Sequence, residues 1–363
     1  MVMKARAAIA FGPNRPLEIH TIDVAEPGPH QVAVRLAATG LCHSDLHMLE
    51  GKVPHSYPVV PGHEGFGTVI QCGDAVTQFK VGDTVIPYLV PDCGVCDFCK
   101  SGRTNQCLKL PERRKNPTTC FSLKGAPVAQ FVGMGTFSEI VVVPDDMLVK
   151  VSSKADPAHA CCIACGVTTG IGAVFNTAKV PAGATVAVFG VGGVGLSVVQ
   201  GARLAGASKI IAVDRNAAKE SIARTMGATD FIDASKDPDP VASIIKLTQY
   251  GVDFAFECVG IPALMRQALE STHPAWGVGV NVGVVEFGKE LQASPLTLLS
   301  GRRWTGSMMG GAKRNDVARY VDWYVEGRIN LDDMVSHQLK LEDINRGFDM
   351  MKSGESVRSI VVF

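Results

Sequence analysis

Thr185-Val186-Ala187-Val188-Phe189-Gly190-Val191-Gly192-Gly193-Val194-Gly195 is the stretch whose reading decides the fold. A continuous apolar run suited to a buried strand passes directly into G-x-G-x-x-G. A helical pattern follows to Gly206, and a second strand, Lys209–Val213, ends in Asp214. The glycine pattern alone is weak. Strand, glycine turn, helix, strand and acid in that order mark the first half of a dinucleotide-binding unit. Gly190 permits the tight turn, Gly192 lets backbone approach a pyrophosphate, and Gly195 lets the helix pack on the strand. Gly193 and Val194 open the helix, whose N–H groups and positive dipole suit phosphate. Asp214 lies nineteen residues beyond Gly195, where an acid binds ribose hydroxyls. Its charge repels a 2′-phosphate, so NAD is expected over NADP, although Arg215 beside it is a residue able to accept that phosphate.

Further strands at Thr229–Ile232, Val252–Glu257, Val278–Gly283 and Trp304–Met308 bring the number to six. Helical stretches near 216–226, 239–249 and 262–271 separate most of them, which predicts a six-stranded doubly wound α/β unit over residues 167–308. Residues 1–166 have a different texture, with short β-branched runs at Gln31–Leu36, Gly67–Gln71, Thr84–Pro87 and Thr136–Val143. Turn sequences such as Glu26-Pro27-Gly28-Pro29 and Gly82-Asp83 divide them. This pattern predicts an antiparallel β-rich domain with few helices. Residues 309–363, with helices near 315–327 and 342–352 and flanking strands, are expected to return to it. The N-terminal residues read as a first strand, not a signal peptide.

The β-rich part carries the metal chemistry. Cys42 and His63 offer a thiolate and an imidazole, too few to hold zinc alone, and Cys165, in Ala-Cys-Gly-Val-Thr-Thr-Gly, is the best third ligand. Three protein ligands leave the fourth tetrahedral position for water or substrate, which marks a catalytic zinc. Cys93, Cys96, Cys99 and Cys107 follow C-x2-C-x2-C-x7-C and complete a sulfur shell of their own, as a structural zinc requires. An iron–sulfur cluster is the rival for that loop, but its bacterial run brings the fourth cysteine after three residues and before Pro. Residues 108–135, with Arg113-Arg114-Lys115 together, read as a solvated basic loop; a pocket-mouth role for one arginine is the alternative.

Lys+Arg and Asp+Glu balance at 35 each, which gives no electrostatic case for nucleic acid or an anionic membrane. No apolar run approaches the roughly 18 residues of a membrane helix. Eleven cysteines, an odd number in a chain of 363 residues, argue for a reducing cytoplasm over a disulfide framework. Cys72, Cys120, Cys161, Cys162 and Cys258 lack ligand spacing and read as small buried apolar residues.

Over essentially its whole length the chain resembles the zinc-dependent medium-chain alcohol dehydrogenases. The motifs that carry the likeness are GLCHSDLH, PGHEGFGTVI, the four-cysteine loop, CGVTTGIGA, VFGVGGVGLS, IIAVD and SGESVRSIVVF. The branch it resembles most holds the classical alcohol dehydrogenases and the glutathione-dependent formaldehyde dehydrogenases. The resemblance implies a GroES-like catalytic domain beside a Rossmann domain, NAD, and two zincs per chain, one catalytic and one structural. It also implies a homodimer or homotetramer. It assigns Cys42, His63 and Cys165 to the catalytic zinc, with Glu64 behind it and Asp45 orienting His63. His43 and Arg358 would meet the pyrophosphate, Asp214 and Lys219 the adenosine ribose, and Thr169, Val194 and Val282 to Val284 the nicotinamide. Ser44 would pass a proton through the ribose hydroxyl to His47. Val53, Leu89, Phe131, Val132, Val284 and Met308 would line an apolar pocket.

The expected function is reversible oxidation of primary or aromatic alcohols to aldehydes by hydride transfer to NAD. The alternatives are dehydrogenation of an S-(hydroxymethyl)thiol and a nicotinoprotein that never releases its NAD. A non-catalytic NAD-binding relative is disfavoured because all three zinc ligands are present. Departures from the formaldehyde branch favour ordinary alcohols. Pro111 stands where that branch carries an arginine, Gly51-Lys52-Val53-Pro54-His55 lacks its acids, and the relay histidine, His47, is present. Lys52, Arg113 and Arg114 are the residues left to meet a glutathione carboxylate.

Overall fold

Six parallel strands build the region that the glycine-rich stretch announces. In a computed structural model that describes residues 2–115 and 119–363, they lie in the order 230–233, 209–214, 185–189, 254–257, 278–281, 303–306. Numbered along this unit the order is 3-2-1-4-5-6, the doubly wound arrangement. Helices pack against the sheet, so its central strands are apolar over most of their length. Phe189, Ile211, Val213, Ile232 and Ala255 meet Ile244 and Ala268 from the flanking helices in one buried cluster. Each large side chain there contributes about 1.5–3 kcal/mol on leaving water.

The glycines act as their positions demand. Gly190 has φ of +85°, a conformation that other L-residues seldom adopt. A Cβ on Gly195 would strike the Gly190 carbonyl, whereas a Cβ on Gly192 would meet nothing within 4 Å. Close packing thus requires one glycine, and open space for a ligand lies beside the other. Gly192 caps the helix Gly193–Leu204.

The chain divides into two compact units, Gly166–Ala312 and Met1–Cys165 with Lys313–Phe363. The boundary expected at 309 moves to 313. Met308–Gly311 forms a 3-10 turn, and Gly310 lies so close to the helix Gly166–Gly172 that a Cβ there would strike the carbonyls of Thr168 and Thr169.

The first unit holds two sheets. A seven-stranded sheet runs 148–150, 84–87, 64–72, 31–40, 359–362, 337–339, with 140–144 also paired to 31–40. A five-stranded sheet runs 3–9, 18–24, 121–123, 126–130, 59–60. The strand expected at Thr136–Val143 begins only at Ile140, because the Thr136 and Phe137 N–H groups go to the Gly62 and Pro61 carbonyls. Likewise Val278–Gly283 shortens to Val278–Asn281, since the Val282 and Gly283 N–H groups turn to the Glu257 carbonyl. Trp304–Met308 becomes Arg303–Gly306. The basic stretch read as a loop contains a helix, Lys109–Lys115, and two strands, Phe121–Leu123 and Ala126–Gln130. Residues 116–118, and the side chains of Arg114 and Lys115, lie outside the described residues. Among the described residues no single helix is long and apolar enough to cross a membrane.

Candidate active site

Sheet register brings the ligands together. Strand 31–40 pairs antiparallel with 64–72 so that Gly40 faces Glu64. The chain leaving one strand therefore delivers Cys42 beside His63, the residue that enters the other. Strand 359–362 pairs on the far side of the same strand, Ile360 facing Gly40, and this places Arg358 in the same spot. Cys165 arrives at the end of the 3-10 turn Cys161–Ala164. The donor atoms of Cys42, His63, Glu64 and Cys165 all lie within 4.8 Å of one another, and all four residues are buried.

Asp45 organises this cluster. It sits on the helix His43–Leu49 and is fully buried. Its Oδ1 accepts from the Gly62 N–H at 2.9 Å and lies 3.1 Å from His63 Nδ1, while Oδ2 accepts from the Cys42 N–H at 3.2 Å. A carboxylate on Nδ1 leaves Nε2 as the ligand atom. Burial alone pulls the His63 pKa down, but the Asp45 carboxylate and the Cys42 thiolate outweigh it and push the imidazole up to about 10. Hydrogen bonding from Cys165 holds Cys42 well below an ordinary thiol. A thiolate beside an imidazole that clings to its proton is a site made for a cation, and a metal that binds there displaces that proton. The set fits zinc.

Ser44 Oγ lies 3.8 Å from Cys42 Sγ, and His47 follows three residues later on the same helix. Both are half-buried, and His43 at the helix start is exposed. Phe131 is buried with its ring edge-on to His63, centroids 5.9 Å apart, and His55 packs on its other side at 5.5 Å. Leu89 is buried as well, and Val53 and Val132 are half-buried.

Arg358, expected at a pyrophosphate, forms an ion pair with Glu64. Both residues are buried, and a Cβ on Gly40 would collide with both side chains. Sequence reading misses this pair because 294 positions separate its members; its only local trace is Arg358 preceding a C-terminal strand. Arg113 and Lys52, the residues left to meet an anion, are both occupied: Arg113 is bidentate on Asp146 at 2.7 and 2.8 Å, and Lys52 pairs with Glu50 at 2.7 Å.

The second cluster is Cys93, Cys96, Cys99 and Cys107, donor atoms again within 4.8 Å. Cys93 Sγ accepts from the Cys96 N–H at 3.4 Å and Cys96 Sγ from the Cys99 N–H at 3.5 Å. The N–H groups of Leu108 and Cys99 draw the Cys96 thiol down to about 6. Backbone donors favour thiolate at Cys93 and Cys96, while burial pushes the Cys99 and Cys107 thiols up; four sulfurs converging on one loop fit a structural zinc.

In the other unit, Asp214 is buried at the end of its strand. Its Oδ2 accepts from Val191 N–H at 2.9 Å and Lys219 Nζ at 3.0 Å, and its Oδ1 from Asn216 N–H at 2.9 Å. Arg215 is exposed. Thr169 is buried, its hydroxyl 3.8 Å from the sulfur of Met309. Val194 is half-buried and Val282 buried, whereas Val284 and Met308 are exposed.

The comparisons agree with this geometry. Residues 28–153 match the model of the alcohol dehydrogenase GroES-like domain, and residues 193–326 that of the zinc-binding dehydrogenases. The chain belongs to the zinc-dependent medium-chain alcohol dehydrogenases. It is 46% identical over 367 residues to an S-(hydroxymethyl)glutathione dehydrogenase of Photobacterium damsela subsp. piscicida, covering 99% of this dehydrogenase and 100% of that one. An Escherichia coli O1:K1 protein of the same name is 45% identical with the same coverage. Among solved structures, an alcohol dehydrogenase zinc-binding domain protein from Burkholderia ambifaria superposes with a TM-score of 0.95 at 30% identity, with 100% of both chains covered. Benzyl alcohol dehydrogenase from Acinetobacter calcoaceticus gives 0.93 at 28%, with 99% of both covered. The dehydrogenase is therefore an oxidoreductase with a catalytic and a structural zinc site and a nicotinamide dinucleotide fold.

Asp45→Asn keeps the shape of the side chain but loses the carboxylate on His63, and about 10–100-fold in zinc affinity should go with it. Metal analysis after dialysis against a chelator should show one zinc retained where the unaltered dehydrogenase keeps two; equal retention contradicts the role given to Asp45.

Proposed function

We propose that this dehydrogenase oxidises the hydroxymethyl group of an S-(hydroxymethyl)thiol with NAD, releasing the thioester-level product and NADH. The reaction type rests on one observation, the convergence of Cys42, His63 and Cys165 in a chain that also carries a doubly wound dinucleotide fold. The choice of substrate over the simple alcohols expected from sequence rests on the 45–46% identical relatives that bear that activity in their names.

Cys42, His63 and Cys165 would hold the catalytic zinc, and the four-cysteine loop the structural one. When bound, zinc supplies a Lewis acid that lowers a hydroxyl pKa from about 16 toward 7, and the nicotinamide supplies the hydride acceptor. Asp45 Oδ1 keeps His63 in the ligating tautomer. Ser44 Oγ takes the proton leaving the substrate hydroxyl, and the His47 imidazole, one turn on, carries it toward water. Phe131 and Leu89 exclude water from the reacting carbon. The negative charge of Asp214, tied down by Lys219, supports NAD over NADP. The eleven free cysteines support a reducing, cytoplasmic setting.

A second reading, a primary or aromatic alcohol as substrate, is favoured by Arg113 and Lys52 being paired to acids and by the likeness to benzyl alcohol dehydrogenase. NADH formation from formaldehyde should depend on added glutathione, with higher kcat/KM than for benzyl alcohol, hexanol or ethanol. Thiol-independent turnover of benzyl alcohol with the higher kcat/KM transfers the assignment to the second reading. No NADH from any of them, with zinc-replete protein, defeats both.

Pairing into a homodimer is part of the same proposal. Strand 303–306 is one of the two edges of the six-stranded sheet, and Phe287, Leu296 and Leu299 in the same unit are 86%, 72% and 80% exposed. An open edge with large apolar neighbours is unstable alone in water. Light scattering on the eluting protein should give twice the chain mass or a higher multiple; a mass of 38.4 kDa contradicts it.

A further inference from the structure

Strands 185–189 and 254–257 are neighbours, and from them the strand order runs outward to opposite edges of the sheet. Ligands of doubly wound sheets bind beyond the carboxyl ends of the strands at such a reversal. The last residue of strand 254–257 is a glutamate, fully buried, with no part in the site described above.

Glu257 Oε1 accepts from the N–H groups of Val259, Gly260 and Ile261 at 2.9, 2.7 and 3.3 Å. Its main-chain carbonyl accepts from Val282 and Gly283 at 2.9 and 3.0 Å, and the next N–H, of Cys258, donates to the Phe189 carbonyl at 2.9 Å. The turns so held also press on each other. A Cβ on Gly190 would run into the Val259 side chain, and one on Gly260 into the Val284 carbonyl. Glu257 and its neighbour Cys258 thus tie together the turns that leave three adjacent strands. Oε2 is buried without a hydrogen-bond partner among the described residues, and it lies 2.8 Å from where a Cβ on Gly283 would stand. Only glycine at 283 leaves room for the carboxyl.

We propose that Glu257 is a positioning residue for the nicotinamide half of the dinucleotide, acting through the backbone of 258–261 and 282–284. Its own oxygens are buried under those turns and do not reach the ligand. They fix which main-chain N–H and C=O groups face the crevice and where Val282 and Val284 stand. Burial keeps the carboxyl above the usual glutamate range against the pull of the surrounding backbone N–H donors, which agrees with a group used for shape and not for charge. The inference rests on the dinucleotide reading of this unit.

The test is NADH binding by fluorescence to the zinc-loaded full-length chain, without substrate. Glu257→Ala strands three buried donors, and its Kd for NADH should rise about tenfold or more, with KM for NAD rising alongside. Zinc content and KM for the alcohol should stay as in the unaltered dehydrogenase, which a general loss of folding would not spare. Glu257→Gln keeps an acceptor for the three N–H groups and should bind NADH within about threefold of the original. If Glu257→Ala does not fold, Glu257→Asp, with its carboxylate withdrawn by one methylene, should show the same selective loss. A folded Ala or Asp variant with unchanged NADH affinity overturns the proposal, as does a Gln variant as weak as Ala. An unaltered chain that binds no NADH overturns the dinucleotide reading and this inference with it.

Discussion

One buried carboxylate holds the catalytic half of the molecule in register. Asp45 accepts hydrogen bonds from the segment that carries Cys42 and from the segment that carries His63. Burying an ion with no access to water costs several kcal/mol, and the cost is offset only where its lone pairs are filled. Two backbone N–H groups and the His63 imidazole fill them here. The Glu64–Arg358 pair repeats the device a few ångströms along, tying the C-terminal strand to the same place. The two sulfurs and one nitrogen therefore face one another in one buried cluster.

What could be read from sequence follows the reach of each interaction. The Gly-rich turn, Asp214 and the four-cysteine loop are set by neighbours within a short stretch, and spacing alone reveals them. The pairing of Cys42 with His63 is legible because only the helix His43–Leu49 and the two-residue strand Val59–Val60 lie between them. Strands Glu18–Val24, Phe121–Leu123 and Ala126–Gln130 are not legible, since they are short or carry polar residues and Pro127, and the contact that joins 18–24 to 121–123 spans a long stretch of chain. The same distance hides Arg358 from Glu64 and Arg113 from Asp146. Strand ends at Ile140 and Asn281 shift from expectation because distant carbonyls compete for the same N–H groups.

Substrate choice is where local and global signals diverge. Whole-chain identity aligns the dehydrogenase with enzymes named for S-(hydroxymethyl)glutathione, while Val53, Leu89, Phe131 and Val132 are apolar and Lys52 and Arg113 are already paired with acids. Identity averages over the fold, whereas specificity in an enzyme is set by the few side chains that meet the substrate. A change at those few leaves the metal chemistry and the cofactor fold intact.

The central claim is that two zincs occupy unlike shells, and X-ray absorption at the zinc edge tests it most directly. The account predicts two zincs per chain averaging three sulfurs each, four from the cysteine loop and two from Cys42 and Cys165, with imidazole nitrogen present. One zinc per chain with four sulfurs and no nitrogen would contradict it.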